Sequence, residues 1–243
     1  MPNAQIEYLY LDLASLESIK KAADEFISKE SQLHILLNNA GVLAKAPELT
    51  KDGFDIQWGT NYMGPALLTK LLLPTLITTA QKSPKNSVRI VNVASEGHRA
   101  ARFGINFADT ALAISSICVR YGQSKLANVL HAKTLAKRYG GHGIVAVSCH
   151  PGVIITDLFI PAASSLGFLG SAILWLLKKL TISPDVGCYT QIELCTSPKV
   201  TVEDGGSYYL STLKSAPSEY GQDDALADRL WEYTEQQLRD RGY

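Results

Sequence analysis

The sequence predicts an α/β fold built around a parallel sheet, and three observations carry that reading. Short β-branched and apolar runs alternate along the chain with segments of helical periodicity, the pattern of strand–helix–strand crossover units. The run at 33–37 (LHILL) is short and apolar, as suits a strand covered on both faces. A length of 243 residues with 46% hydrophobic content supplies one domain, spanning residues 1–243, with material for a full core.

The elements follow in order. Residues 6–13 (IEYLYLDL) read as a β-branched, aromatic strand with Asp12 near its end. Ser15 is placed as the cap of a helix whose apolar face is Ile19, Ala22, Ala23, Phe26 and Ile27. The strand at 33–37 breaks at Asn38-Asn39-Ala40-Gly41. Residues 54–80 have helical composition, with kinks expected at Pro65 and Pro74. A strand is expected at 87–95 (SVRIVNVAS), then a helix at 124–139 stopped by Gly140-Gly141. Residues 143–149 (GIVAVSC) form the next strand, ahead of His150-Pro151-Gly152. Ser183-Pro184 opens a helix with a cap and then proline at the first position. Residues 206–210 are a last short strand, and Ala227, Leu230, Trp231, Thr234 and Leu238 outline a C-terminal helix.

Composition excludes several classes. Lys and Arg total 23 against 23 for Asp and Glu, so the basic excess of a nucleic-acid binder is absent and no nucleic-acid partner is expected. With 19% charged residues the chain is not of the disordered class. Cys118, Cys149, Cys188 and Cys195 form no C-x-x-C pair and stand at no zinc spacing with histidine. No metal site is expected, and the thiols are read as inert and buried in a reducing, cytoplasmic setting. Residues 1–5 carry no secretory pattern. The stretch 158–177 has no charged residue and the length of a membrane span. Pro161, Ser164, Ser165, Gly167 and Gly170 interrupt it, and a span there would cut the sheet in two. It is read as an apolar flap, at about residues 157–182, over a substrate pocket, with contact at a membrane surface as the further expectation.

Chemistry concentrates at few residues. Tyr121 and Lys125 stand at i and i+4, on one helix face if the helix has begun by Tyr121. A phenol has a reference pKa near ~10 and is a poor base alone. An ammonium about 4 Å away, at an effective dielectric of about 20, stabilises the phenolate by about 4 kcal/mol, or about three pKa units. Such a pair exchanges protons near neutral pH; as a bare Y-x-x-x-K it is also a common surface pair. Ser95 ends a predicted buried strand, the edge where parallel sheets gather ligands, and a hydroxyl there stabilises charge developing on a carbonyl oxygen. The alternative is a serine that starts a turn. His98 raises a Ser–His hydrolase, but no G-x-S-x-G surrounds Ser95. Asn38-Asn39-Ala40-Gly41 and Pro151-Gly152-Val153-Ile154-Ile155-Thr156 end two other strands.

Taken together, N-N-A-G, the N-x-x-G at Asn61, Ser95, Tyr121-x-x-x-Lys125 and P-G-x-I-x-T resemble the short-chain dehydrogenase/reductase family in content and order. The likeness runs from about Ile6 to the C-terminus. The contexts RIVNVAS-E-G-H-R and RYGQSKLANVL are most similar to its retinol-dehydrogenase-like and WW-domain-oxidoreductase-like branch. The resemblance implies a Rossmann-like doubly wound parallel sheet and hydride exchange between NADP, with NAD the alternative, and a small carbonyl or alcohol. It implies Tyr121 as the acid and base, Lys125 lowering its pKa and holding the nicotinamide ribose, Ser95 orienting the substrate oxygen, and Asn61 holding a water that links Lys125 to solvent. Asp12 would face the adenine with Leu13 beside it. Asn39, Ala40 and Gly41 would line the cofactor cleft, with Pro151 and Gly152 leading to Ile154 and Thr156 at the carboxamide and phosphates. The flap favours an apolar substrate, and homodimers are expected through helices 54–80 and 124–139.

The family opens with a strand, a T-G-x-x-x-G-x-G turn and a helix, whereas the first glycine here is Gly41. The expectation is therefore an N-terminally truncated fold lacking the first βαβ unit, through a fragment or mispredicted start, a cofactor-poor relative, or dependence on another chain. A glycine turn onto a helix N-terminus is what receives a pyrophosphate, so weak dinucleotide binding is expected. The rival function is a non-catalytic binding or regulatory protein.

Overall fold

The computed structural model describes residues 4–43, 46–152 and 184–243. Five strands form one sheet in the order β1 (Ile35–Asn38), β2 (Val88–Val93), β3 (Ile144–His150), β4 (Tyr208–Leu210), β5 (Leu213–Ser215). The first four run parallel and β5 returns antiparallel. Helices cover both faces, so the α/β, doubly wound reading holds. Every residue of β2 and β3 is buried. Alternation divides them: Val88, Ile90, Ile144 and Ala146 face the larger core, and Val91, Val93, Val145, Val147 and Cys149 face the smaller one.

The larger core lies under α1 (Leu16–Lys29), α3 (Gly64–Lys82) and α4 (Ile117–Tyr139). Ser15 caps α1 by accepting the Ser18 N–H at 3.3 Å, and Ile19, Ala22 and Ala23 are buried as expected. Ile27 is 46% exposed and falls off that face. A short helix α2 (Ile56–Trp58) leads through a π-turn (Gly59–Met63) into α3. Asp55 starts α2, its carboxylate accepting from the Gln57 and Trp58 amides at 3.0 and 3.1 Å. Pro65 sits in the first turn of α3 and Pro74 inside it. Pro65 lacks the N–H that would bond the carbonyl four residues back, at Asn61, and the wider turn falls at that point. Helix α3 is long and apolar enough to cross a membrane when joined to the turns before it, Ile56–Lys82, yet Leu67, Leu72 and Leu76 pack into the core.

Four expectations are corrected. Residues 6–13 form no strand: Ile6 and Tyr8 are 90% and 84% exposed, because no described strand lies alongside to complete a ladder. β1 is an edge strand and is not covered on both faces; Ile35 and Leu37 are 39% and 40% exposed. The helix expected at 124–139 begins seven residues earlier, at Ile117, capped by Ser116. Cys118 is exposed, whereas Cys149 is buried. The hairpin joining β4 and β5 turns on Ser211 and Thr212, both with positive φ (48° and 69°).

The remaining helices among the described residues are α5 (Pro184–Gly187), α6 (Tyr189–Thr196), α7 (Glu219–Gln222) and α8 (Asp224–Arg239). Helix α6 seals the second face through Leu194. Helix α8 lies across α3 and α4, tied by Tyr62–Thr234 at 2.6 Å and Lys70–Glu235 at 2.8 Å. It thus covers part of the helix surface expected to carry a homodimer contact. The apolar stretch at 157–182, with its pocket and membrane expectations, lies outside the described residues.

Candidate active site

Three parallel strands end on the same side of the sheet, and the turns that follow β1 and β2 meet the first half of α4. β2 delivers Ser95, two residues beyond Val93. Its Oγ accepts the Gly97 N–H at 3.0 Å and caps a 3-10 turn, Glu96–Ala100. The hydroxyl also hydrogen-bonds the Tyr121 phenol, and that bond opposes the effect of burial, which raises the phenol above its usual pKa of 10.0.

Helix α4 has begun by Tyr121, so Tyr121 and Lys125 share its inner face. Lys125 is buried, 4% exposed. Its Nζ donates to the Val93 carbonyl at 2.9 Å and stands 5.7 Å from the Tyr121 ring centre. Burial pulls the ammonium down to about 8. Lys125 is anchored to backbone, and burial is the largest influence on both groups, raising the phenol and lowering the ammonium.

Close approach of two turns fixes this geometry. A Cβ on Gly122 would stand 2.6 Å from the Gly97 carbonyl oxygen and 3.0 Å from the Ala100 Cβ. Only a bare Cα lets the turn after Ser95 lie on α4 one residue from Tyr121. His98 pins the same turn. Its Nε2 accepts the Ser218 N–H at 2.8 Å, which leaves Nδ1 to donate to the Ser95 carbonyl at 2.6 Å. Both ring nitrogens are thus spent on backbone, neither on the Ser95 hydroxyl, and a Ser–His hydrolase pair is not formed.

The turn after β1 closes the opposite side. Asn61 on the π-turn accepts the Val42 N–H at 2.7 Å and donates Nδ2 to the Val42 carbonyl and to Ser124 Oγ, both at 3.0 Å. Its side chain is a strut between the β1 turn and α4. Gly41 opens onto the lysine: a Cβ there would be 3.0 Å from Asn61 Oδ1 and 3.3 Å from Lys125 Nζ. Asn39 and Ala40 are exposed at the mouth, while Asn38 ties β1 to β2 through Asn92 at 2.9 Å.

Asp12 and Leu13 lie before α1. The Asp12 carboxylate accepts the Ala14 N–H at 2.9 Å, and the Leu13 carbonyl presses on Gly64. Pro151 and Gly152 follow β3 and are half-buried. Ile154 and Thr156 lie outside the described residues. Sequence reasoning missed Asn128, which donates to the same Val93 carbonyl at 3.3 Å, and Ser124; neither belongs to a motif that marks it. It also missed Gly97 and Gly122, whose role depends on packing between distant segments. Among the described residues no group of three metal-ligating side chains occurs.

Comparisons with known proteins identify the family. The short chain dehydrogenase family profile matches residues 2–166. An uncharacterized oxidoreductase of Schizosaccharomyces pombe is 40% identical over 247 residues, covering 99% of this chain and 72% of that protein. Human polyprenol dehydrogenase is 36% identical over 235 residues, covering 94% and 68%. Among solved structures, an uncharacterized protein of Mycobacterium paratuberculosis is 28% identical, with a TM-score of 0.63 over 97% of this chain and 76% of that one. The NADPH-bound carbonyl reductase from chicken fatty liver shares the fold at a TM-score of 0.61 and 23% identity, over 86% of this chain and 75% of its own. On these matches, over a fold and a site of this form, the chain belongs to the short-chain dehydrogenase/reductase family of oxidoreductases.

Proposed function

We propose that this chain interconverts a carbonyl and an alcohol on a small apolar substrate, with Tyr121 moving the proton. The observation that carries the reading is the meeting of the Ser95 hydroxyl, the Tyr121 phenol and the buried Lys125 ammonium at the ends of β1 and β2. The residues present fit a nicotinamide dinucleotide: Gly41 keeps its Cα bare where a Cβ would crowd Lys125, and Asn39 and Ala40 border it. Asn39, Ala40, Gly41, Tyr121, Lys125, Pro151 and Gly152 would hold the cofactor, with Ile154 and Thr156 beyond and Asp12 and Leu13 toward the adenine. The cofactor supplies or accepts the hydride. NADP is the proposed form on the subfamily resemblance, with NAD the alternative; neighbours of the same fold are complexes of NADPH and of NADH.

The protein's own contribution is positioning and proton transfer. In reduction, the Tyr121 O–H bond breaks and its proton goes to the substrate oxygen; in oxidation the phenolate takes that proton back. Ser95 Oγ already accepts from Gly97 N, so its own hydrogen is available to the substrate oxygen or the phenolate. The Lys125 ammonium offsets the charge left on the phenol. Asn61 acts here as the strut that keeps the β1 turn against Lys125. An apolar substrate is supported by the name of human polyprenol dehydrogenase.

Titration of NADPH and NADH against the chain, followed by turnover on a panel of ketones, aldehydes and alcohols, tests the reading. Saturable binding with turnover that Tyr121→Phe abolishes is expected. A folded chain that binds neither nucleotide would favour the non-catalytic binding protein.

A further inference from the structure

A cavity of about 950 Å³ lies between the turn after Ser95 and the start of α4, at the upper end of the size range of small-molecule sites, roughly 300–1,000 Å³. Its apolar wall is Ala100, Ala101, Phe103, Ile105, Leu112 and Val119. Phe103 is 93% exposed, an aromatic ring without cover at the rim. The wall is braced rather than loose: Gln123 Oε1 accepts the Asn106 N–H at 2.8 Å, and its Nε2 donates to the Thr110 carbonyl at 3.1 Å.

Two arginines border the cavity, and among the described residues no acidic one lines it. The Arg99 guanidinium is engaged, by Glu96 at 2.9 Å and the Ala216 carbonyl at 2.8 Å. Arg102 makes no hydrogen bond or ion pair among the described residues, which leaves one cation available to a ligand. Ser95 and Tyr121 do not line the cavity but are its neighbours: Ala100 and Ala101 pack on Gly122, next to Tyr121, and Cys118 and Val119 occupy the preceding helical turn.

We propose that this cavity binds the body of the substrate, and that the substrate is an apolar chain ending in a carboxylate, which Arg102 receives. The apolar wall takes the chain, while the acid end selects by charge-assisted hydrogen bonding. The assignment rests on the reading of Ser95 and Tyr121 as the place where the substrate oxygen reacts.

Cys118 lines the cavity and is exposed, which makes its thiol a reporter that needs neither cofactor nor turnover. Alkylation of Cys118 by a maleimide, followed by mass spectrometry, is measured against decanoate and decanol. Decanoate is expected to protect Cys118 at a concentration about tenfold lower than decanol. Arg102→Gln is expected to remove that difference, and Val119→Trp, which narrows the cavity beside Cys118, to weaken protection by both. Equal protection by acid and alcohol in the unaltered chain, no protection at all, or an Arg102→Gln variant that keeps the preference overturns the proposal. A chain that is protected by decanoate yet reduces no carbonyl would sink the catalytic reading and leave the cavity assignment intact.

Discussion

Arg120 Nη1 stands 3.4 Å from Asp55 Oδ2, with both side chains only 2% exposed. The pair joins the start of α2, which leads to Asn61, with the residue preceding Tyr121. Burial raises the Asp55 carboxyl, while the Trp58 and Gln57 amides and the Arg120 charge hold it down. Removing the Arg120 charge leaves the buried Asp55 carboxylate without that counter-ion. Asp55→Asn keeps an oxygen to cap α2 but loses the charge. Unfolding by urea should show it destabilised by about 3–5 kcal/mol, with Arg120→Met similarly affected. A loss below about 1 kcal/mol would mean that the pair is not desolvated as described.

Gly122→Ala tests the contact between the Ser95 turn and α4. The added methyl meets backbone, the Gly97 carbonyl oxygen at 2.6 Å, so the turn has to move away. A stability loss of about 1–3 kcal/mol is expected, with a fall in kcat larger than any rise in KM because Ser95 leaves Tyr121. Gly140→Ala, where nothing stands within 4 Å, serves as the control in the same kinetic assay.

Lys125→Met should separate stability from activity. Burial lowers the ammonium from 10.5 to about 8, so at pH 7 the charged form is disfavoured in the folded chain relative to the unfolded one. The variant should be more stable at pH 7, by at most about 3 kcal/mol, while carbonyl reduction is lost. Between pH 8 and 10.5 the unfolded chain holds the proton that the folded chain has released, so the unaltered chain gains stability as pH rises. The advantage of the variant should therefore shrink over that window, as read from denaturation midpoints.

His131 should make the fold acid-sensitive. The ring is buried against Tyr62 and Trp231, and burial lowers it from 6.5 to about 4. In that window the unfolded chain takes up a proton that the folded chain refuses, so stability falls as pH drops through it, by up to about 3 kcal/mol. His131→Phe should flatten this part of the profile; an unchanged slope would assign the acid sensitivity to other groups.

The parts of the fold and site that the sequence made legible are those with a local signature. β-branched runs marked β2 and β3 because both lie fully inside the sheet, and an i, i+4 spacing was enough to put Tyr121 and Lys125 on one face. What stayed hidden depends on distant partners. Asp55 and Arg120 are 65 positions apart, and the acceptor that holds Lys125 is the backbone carbonyl of Val93, which carries no residue signature. The β4–β5 turn uses Ser211 and Thr212 in place of the glycine or asparagine that usually announces such a hairpin. Residues 6–13 have every strand propensity and still form none, since propensity cannot supply a neighbour. The helix start at Ile117 was obscured by Ile117, Cys118 and Val119, which are weak helix formers.

The outer rim of β1 leaves Ile35 and Leu37 bare beside a row of backbone donors and acceptors. Such a rim is a template for any extended chain of suitable register, and the exposed Ile6, Tyr8 and Tyr10 are of that kind. Working solutions of this polypeptide should accordingly be limited by protein concentration, clouding first where molecules are crowded and surviving longest when dilute.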